Sequence, residues 1–258
     1  MNSILKLRIT TSILIALLVI GCKNKKSNDP ASIATGSLEF HLHTLVGSTE
    51  VADYDTIYTL ASGRKISVSK AQLYISAIQL VKLDGSLYTI PNATVLKLQE
   101  IEQVTVATVP AGNYKSVRFS VGLDSAVNHQ TPATSNTTLY RSDMWFGSSV
   151  QPDGFVFVNF RGMIDTSSAA NMPNNMQSFS YKIGTNANLK QVSMPDKNFM
   201  VTPSGIGLVH ITIDYDKLFT GVQLNKTSNL NTGTAADNAI ALGILISNNI
   251  PSMFQYEQ

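Results

Sequence analysis

Strict alternation of apolar and polar residues dominates this 258-residue chain. In Leu38-Glu39-Phe40-His41-Leu42-His43, the residues Leu38, Phe40 and Leu42 fall on one face and Glu39, His41 and His43 on the other, the period-two signature of a half-buried strand. Further β segments read as Ile66-Ser67-Val68-Ser69, the long run 73–81, and residues 87–90 behind an Asp84-Gly85 hairpin turn. Residues 95–98, 116–123 after the Pro110-Ala111-Gly112-Asn113-Tyr114 turn, 155–160, 179–183 and 207–214 complete the set. Helical signal is confined to short turns at 217–219 and 237–243. Many short strands without intervening helices predict an all-β fold: an antiparallel β-sandwich of about eight to ten strands, formed by one domain over residues 36–258.

The first 35 residues follow another pattern. Lys6 and Arg8 precede an apolar run, residues 13–20, that ends in Gly21-Cys22. That run is too short for roughly 30 Å of hydrocarbon and reads as a removable signal peptide, residues 1–22. Val19-Ile20-Gly21-Cys22 resembles the bacterial lipobox, in which the cysteine is lipidated and becomes the new first residue. The plainer alternative is an ordinary secretory signal with a chance cysteine. Residues 23–35 are polar and aperiodic, as expected of a flexible tether. These features predict a lipid-anchored protein of the bacterial cell envelope, periplasmic or at the cell surface, with the membrane as partner through Cys22.

Composition narrows the chemistry. Charged residues make up 14% of the chain, well below the roughly 25% usual for soluble proteins. The net charge is +2, from 19 basic and 17 acidic residues. Cleavage after Gly21 would remove Lys6 and Arg8 and leave the mature chain at 17 against 17. No basic patch suits nucleic acid. A single cysteine excludes disulfide frameworks and Cys-based metal clusters within one chain. Serine-hydrolase elbows, zincin helices, P-loops, dinucleotide fingerprints and EF-hand loops are missing. Asp53, Asp55, Asp124 and Asp143 are scattered in loops without an evident acid/base pair, so no enzymatic activity is expected.

Histidine is the informative residue type: His41, His43, His129 and His210 are the four in the chain. His41 and His43 share one strand face and could converge on an ion, or could simply be two polar residues on a solvated face. His129 lies just past a strand, on a loop that could fold back over the first strand. His210 alternates with Leu208 and Thr212 and reads as partly buried. Imidazoles suit Cu(I), Cu(II) or Zn(II) equally by ligand type. Met144 is a candidate soft ligand or core filler, and Trp145, the single tryptophan, reads most simply as a packed indole.

LEFHLH, Gly63 ahead of KISVSKAQLYISAIQLVKLDGS, VPAGNYKSVRFSVGLDSAVNH, DMWFG, FVFVNFRG and DYDKLF together resemble the MbnP-like family. These are extracytoplasmic copper-binding proteins related to methanobactin-associated and methanotroph surface copper proteins. The resemblance spans most of residues 36–258. It implies a β-sandwich holding one copper ion, as Cu(I) in the better-known members, with histidine ligands beside a tryptophan oxidised to kynurenine. In some relatives a partner di-haem enzyme performs that oxidation. His43 matches the family's first-strand histidine and His129 looks like the second, distant ligand. Where methanotroph members carry the modified tryptophan, this chain has His41; either His41 serves as a third ligand or the site is altered. The expected function is copper binding through His41, His43 and His129 for sequestration or delivery, with zinc as the alternative metal. Asp124, Met144, Trp145 and His210 are candidates near the site. The competing expectation is a non-catalytic adhesion or envelope-assembly module with no metal site.

Overall fold

In the computed structural model, which describes residues 33–147, 154–168 and 175–257, the alternating segments build two facing sheets. The expected signal peptide, Cys22 and nearly all of the tether lie outside the described residues. In chain order the strands are β1 (Thr35–Val46), β2 (Thr49–Glu50), β3 (Ile57–Thr59), β4 (Lys65–Lys82), β5 (Leu87–Thr89), β6 (Thr94–Lys97), β7 (Gln103–Pro110) and β8 (Gly112–Val121). They continue as β9 (Val156–Asp165), β10 (Met176–Gly184), β11 (Lys190–Ser193), β12 (Phe199–Val201), β13 (Ile206–Asp214), β14 (Asn231–Thr232) and β15 (Phe254–Tyr256). Among the described residues, helix is limited to α1 (Ser125–Asn128), α2 (Ala241–Asn249) and short 3-10 turns. The smaller sheet runs β15-β13-β1-β2, with β7 also paired to β1; the larger runs β11-β8-β4-β9-β10-β14, with β3, β5 and β6 on β4 and β12 on β8.

The all-β sandwich matches the sequence pattern, with two differences. Fifteen strands are described rather than eight to ten, because pieces of two to four residues such as β2 and β14 are too short to display a period. The sandwich is also not wholly antiparallel: β1 and β13 pair in parallel from Ser37↔Ile206 to Leu45↔Asp214. A parallel neighbour requires a long crossover, and here nearly the whole larger sheet intervenes between the two strands.

Alternation decides what each face does. Leu38, Phe40 and Leu42 of β1 and Val209, Ile211 and Ile213 of β13 point inward and join Leu73, Ile75, Val117, Phe119, Val158 and Phe160 of the larger sheet in one continuous core. Each fully buried side chain of this kind stabilises the fold by about 1.5–3 kcal/mol. A second, smaller core uses the alternate positions of the larger sheet: Tyr74 and Phe157 pack with Leu123, Met144, Trp145 and Phe155. Trp145 is 4% exposed and its indole N–H donates to the Leu139 carbonyl at 3.1 Å. The segment DYDKLF is a clamp at the end of the parallel pair: Asp214 accepts from the Gly47 N–H at 2.8 Å, and Asp216 accepts from the Ala61 N–H at 2.8 Å.

Candidate metal centre

The period of two that buries Phe40 and Leu42 turns His41 and His43 to the outer face of the smaller sheet. The parallel register then sets His210 directly beside His41, and His210 faces outward because Val209 and Ile211 face inward. Three neighbouring segments surround this trio with carboxylates. At Gly47-Ser48 the chain reverses, Gly47 taking the left-handed φ of 66° the turn requires, so that Glu50 pairs with Leu45 diagonally across from His43. β7 pairs Gln103 with His41, and the Leu42 N–H donates to the Glu102 carbonyl at 2.8 Å, bringing Glu102 to the other flank. Beyond β15, the Glu257 N–H donates to the His210 carbonyl at 3.3 Å.

The ring nitrogens converge. His41 Nδ1 lies 3.1 Å from His210 Nδ1 and 3.2 Å from His43 Nε2. Four ligands held at about 2.0 Å around a tetrahedral ion are about 3.3 Å apart, so the spacing fits one shared ion. His41, His43 and His210 form one of two groups, among the described residues, whose donor atoms could hold a metal; the other is His43 with Glu50 and Glu102.

The carboxylates set the tautomers. His43 Nδ1 is 2.8 Å from Glu50 Oε1, so its N–H donates there and its Nε2 lone pair faces inward. His41 Nε2 lies 3.5 Å from Glu102 Oε2, which favours the hydrogen on Nε2 and leaves the Nδ1 lone pair toward the other rings. His210 Nδ1 stands between His41 Nδ1 and Glu257 Oε2, the latter at 2.9 Å. Neutral nitrogen lone pairs facing one another at such distances repel unless a hydrogen or a cation sits between them, and a cation satisfies all three at once. The His43 side chain is 13% exposed and those of His41 and His210 are 25% and 41% exposed, so the cluster is sheltered yet reachable from solvent.

Of the residues singled out from the sequence, the structure brings together His41, His43 and His210. It does not bring His129 to them. His129 caps the end of α1 and is exposed; Asn186, whose Oδ1 accepts from Asn128, faces His129 Nε2 with its Nδ2 at 3.0 Å. The expectation of a loop folding back over the first strand fails because the chain after β8 turns instead into α1 and the second core. Asp124 caps α1, accepting from the Ala126 and Val127 N–H groups at 2.8 and 3.0 Å. Met144 and Trp145 belong to the second core. Glu50, Glu102 and Glu257 escaped sequence reasoning; for Glu50 a usable signal existed, since Gly47-Ser48 after an alternating run is a hairpin turn that returns the chain toward His43.

A sequence model of the MbnP family matches residues 35–235. Among curated proteins no sequence match is found. Among solved structures the chain is similar to MbnP from Methylosinus trichosporium at 17% identity, with 73% of this chain and 78% of that chain covered and a TM-score of 0.51, a likeness of fold.

Proposed function

This chain belongs to the MbnP family, and from that premise we propose that it is a lipid-anchored, extracytoplasmic protein that binds a copper ion, with zinc as the alternative metal, for sequestration or delivery. The observation that carries the reading is the convergence of His210 Nδ1 and His43 Nε2 on His41 Nδ1, at 3.1 and 3.2 Å, with one donor atom of each of the three rings within 4.8 Å of the others. The bound ion would supply a positive centre that three neutral imidazoles share. The chain's own part is to hold the rings at that spacing through the β1–β13 register and to fix their hydrogens on Glu50 and Glu102. The acidic surround favours cation entry. The lipid would keep the site at a membrane surface, where an ion can be stored or passed on.

The test is metal analysis of the full-length protein after loading with copper or zinc, comparing wild type with His41→Ala, His210→Ala and His129→Ala. We expect one ion per chain in wild type and in His129→Ala, and loss of that ion in the other two. Free ion at a hundredfold over its Kd adds about 2.7 kcal/mol of stability, which for a domain of this size raises Tm by roughly 5–10 °C. Equal stoichiometry in all four proteins would sink the proposal. For the anchor, Cys22→Ala should abolish acyl labelling and release the protein from membranes; retained labelling would refute that part.

A further inference from the structure

Imidazoles are not the whole of the converging set. Glu257 Oε2 lies 2.9 Å from His210 Nδ1 and 3.6 Å from His43 Nε2, close to the 3.1 and 3.2 Å that separate His41 Nδ1 from the other two ring nitrogens. Resting on the metal-centre reading above, we infer that Glu257 is the fourth ligand and that it makes the centre selective for a divalent cation, Cu(II) or Zn(II), over Cu(I).

Three observations separate Glu257 from the other two carboxylates. Glu50 and Glu102 face the N–H sides of His43 and His41, where they orient the rings. Glu257 faces the nitrogens that face one another, where a bound cation would take the place of the hydrogen that His210 Nδ1 otherwise shares with Oε2 at 2.9 Å. Its placement is also built in: its N–H donates to the His210 carbonyl, its own carbonyl accepts from Lys197 Nζ, and Lys197 lies over the Tyr256 ring at 5.6 Å. The Lys197 hydrogen bond therefore goes to the main chain of Glu257, and the carboxylate stays turned toward the rings. Four of the six edges among these four atoms, those joining His41 to His43 and to His210 and those joining Glu257 to His43 and to His210, run from 2.9 to 3.6 Å, around the edge of about 3.3 Å expected for four ligands at about 2.0 Å.

Charge and hardness then choose the ion. Three neutral imidazoles and one carboxylate around a divalent ion leave a net +1; around Cu(I) they leave zero, and the surrounding Glu50 and Glu102 make the region negative. Carboxylate oxygen is a hard donor that suits divalent ions, whereas Cu(I) is selected by thiolate and thioether sulfur. Neither metal-competent group among the described residues contains a cysteine.

The experiment measures Zn(II) and, anaerobically, Cu(I) affinity of the full-length protein in detergent by competition with chelators of known strength. The variants are Glu257→Gln, Glu39→Gln and His41→Ala. Glu39 lies on the same face of β1 and meets Gln103 and Thr105 instead of the histidines, so Glu39→Gln removes an equal charge without touching the cluster. We expect Glu257→Gln to weaken Zn(II) binding by at least the roughly 10–100-fold that losing an outer-shell partner costs, while Cu(I), which does not favour a carboxylate oxygen, changes by less than about threefold. Glu39→Gln should move neither ion by that much, and the Cu(II) protein should give an electron-paramagnetic spectrum that alters in Glu257→Gln. Unchanged Zn(II) affinity in Glu257→Gln, equal weakening of both ions, or an equal effect of Glu39→Gln overturns the assignment of Glu257. If His41→Ala binds both ions as wild type does, the metal centre itself is refuted instead.

Discussion

Lys97 connects the folded core to the candidate site, and Lys97→Met tests how. The side chain ends β6 and is 1% exposed, with its Nζ donating to the carbonyls of Leu98 at 2.8 Å and Ile101 at 3.0 Å. These two bonds curl the segment that delivers Glu102 to His41. Burial pushes the ammonium down to about 8, against the opposing pull of Glu102, Glu100 and Glu50. The neutral amine has two N–H groups, enough for the two carbonyls. An unfolded lysine keeps its proton to about pH 10.5 while the native one releases it near 8, so between these values the unfolded state binds more protons and stability rises with pH. At 1.36 kcal/mol per unit, the rise from pH 8 to pH 10 is about 2.7 kcal/mol.

Above pH 10 the sign reverses. Burial raises the phenols of Tyr54 and Tyr256 to about 12, and those of Tyr74, Tyr181 and Tyr215 further, so the native state keeps protons that the unfolded state loses. Stability should therefore peak near pH 10. Burial also lowers the Lys182 ammonium, which adds to the rise, so the decisive quantity is the difference between wild type and Lys97→Met. At pH 7 the variant escapes the cost of a buried charge but strands two carbonyls at about 1–3 kcal/mol each, and the two effects nearly cancel. By pH 10 wild type should lead by 2–3 kcal/mol more than at pH 8, in line with the shift just worked out. Urea unfolding followed by circular dichroism at half-unit steps measures this, and parallel curves, agreeing within about 0.5 kcal/mol throughout, would refute the reasoning.

Two further outcomes follow from packing and charge. Gly122 sits at φ 114°, and a methyl group there would meet the Phe157 ring at 2.3 Å, so Gly122→Ala should cost about 3 kcal/mol, visible as a Tm lower by roughly 6–12 °C; a Tm within a degree of wild type would contradict it. Although burial pushes the Asp143 carboxyl up, the hydrogen bond from Lys70 and the charges of Lys70 and Arg141 hold it below the ordinary value. Its contribution is present above the unfolded value and is lost as pH falls through the lowered one, so acid unfolding of Asp143→Asn should show a shallower limb than wild type, and superimposable acid limbs would count against this.

What was legible from sequence was parity. Alternation in LEFHLH assigns Phe40 and Leu42 to a core and His41 and His43 to the opposite face, and the same rule gives the side of Val209 and His210. Register was not legible. His41 and His210 are 169 residues apart, and no local pattern states that their strands lie side by side in parallel, or that position 41 rather than 39 or 43 meets 210. A slip of one residue would turn a strand's apolar face to solvent, but a slip of two would keep each strand's pattern and separate the imidazoles. His129 illustrates the converse: its position just after a strand matched the expected second ligand, but that segment carries Leu123 and Val127, which pack with Trp145 and Phe155 on the far side of the larger sheet. Met144 and Trp145 could have been placed there on apolarity alone.

Register also explains how the site can be precise while lying outside the core. The imidazoles project from the face opposite Phe40, Leu42, Val209 and Ile211, so removing one leaves no cavity among those residues. Their mutual distances, however, are set by the same two strands whose inner faces form the core, and the parallel pairing continues for nine residue pairs. A shift of β13 along β1 by two residues would preserve every inward and outward assignment while carrying His210 away from His41, so it must be opposed by the packing of the inner face and by Asp214 holding the Gly47 turn. The hydrophobic core thus does more than stabilise the sheet: by fixing the alignment of two distant strands it determines whether three histidines meet.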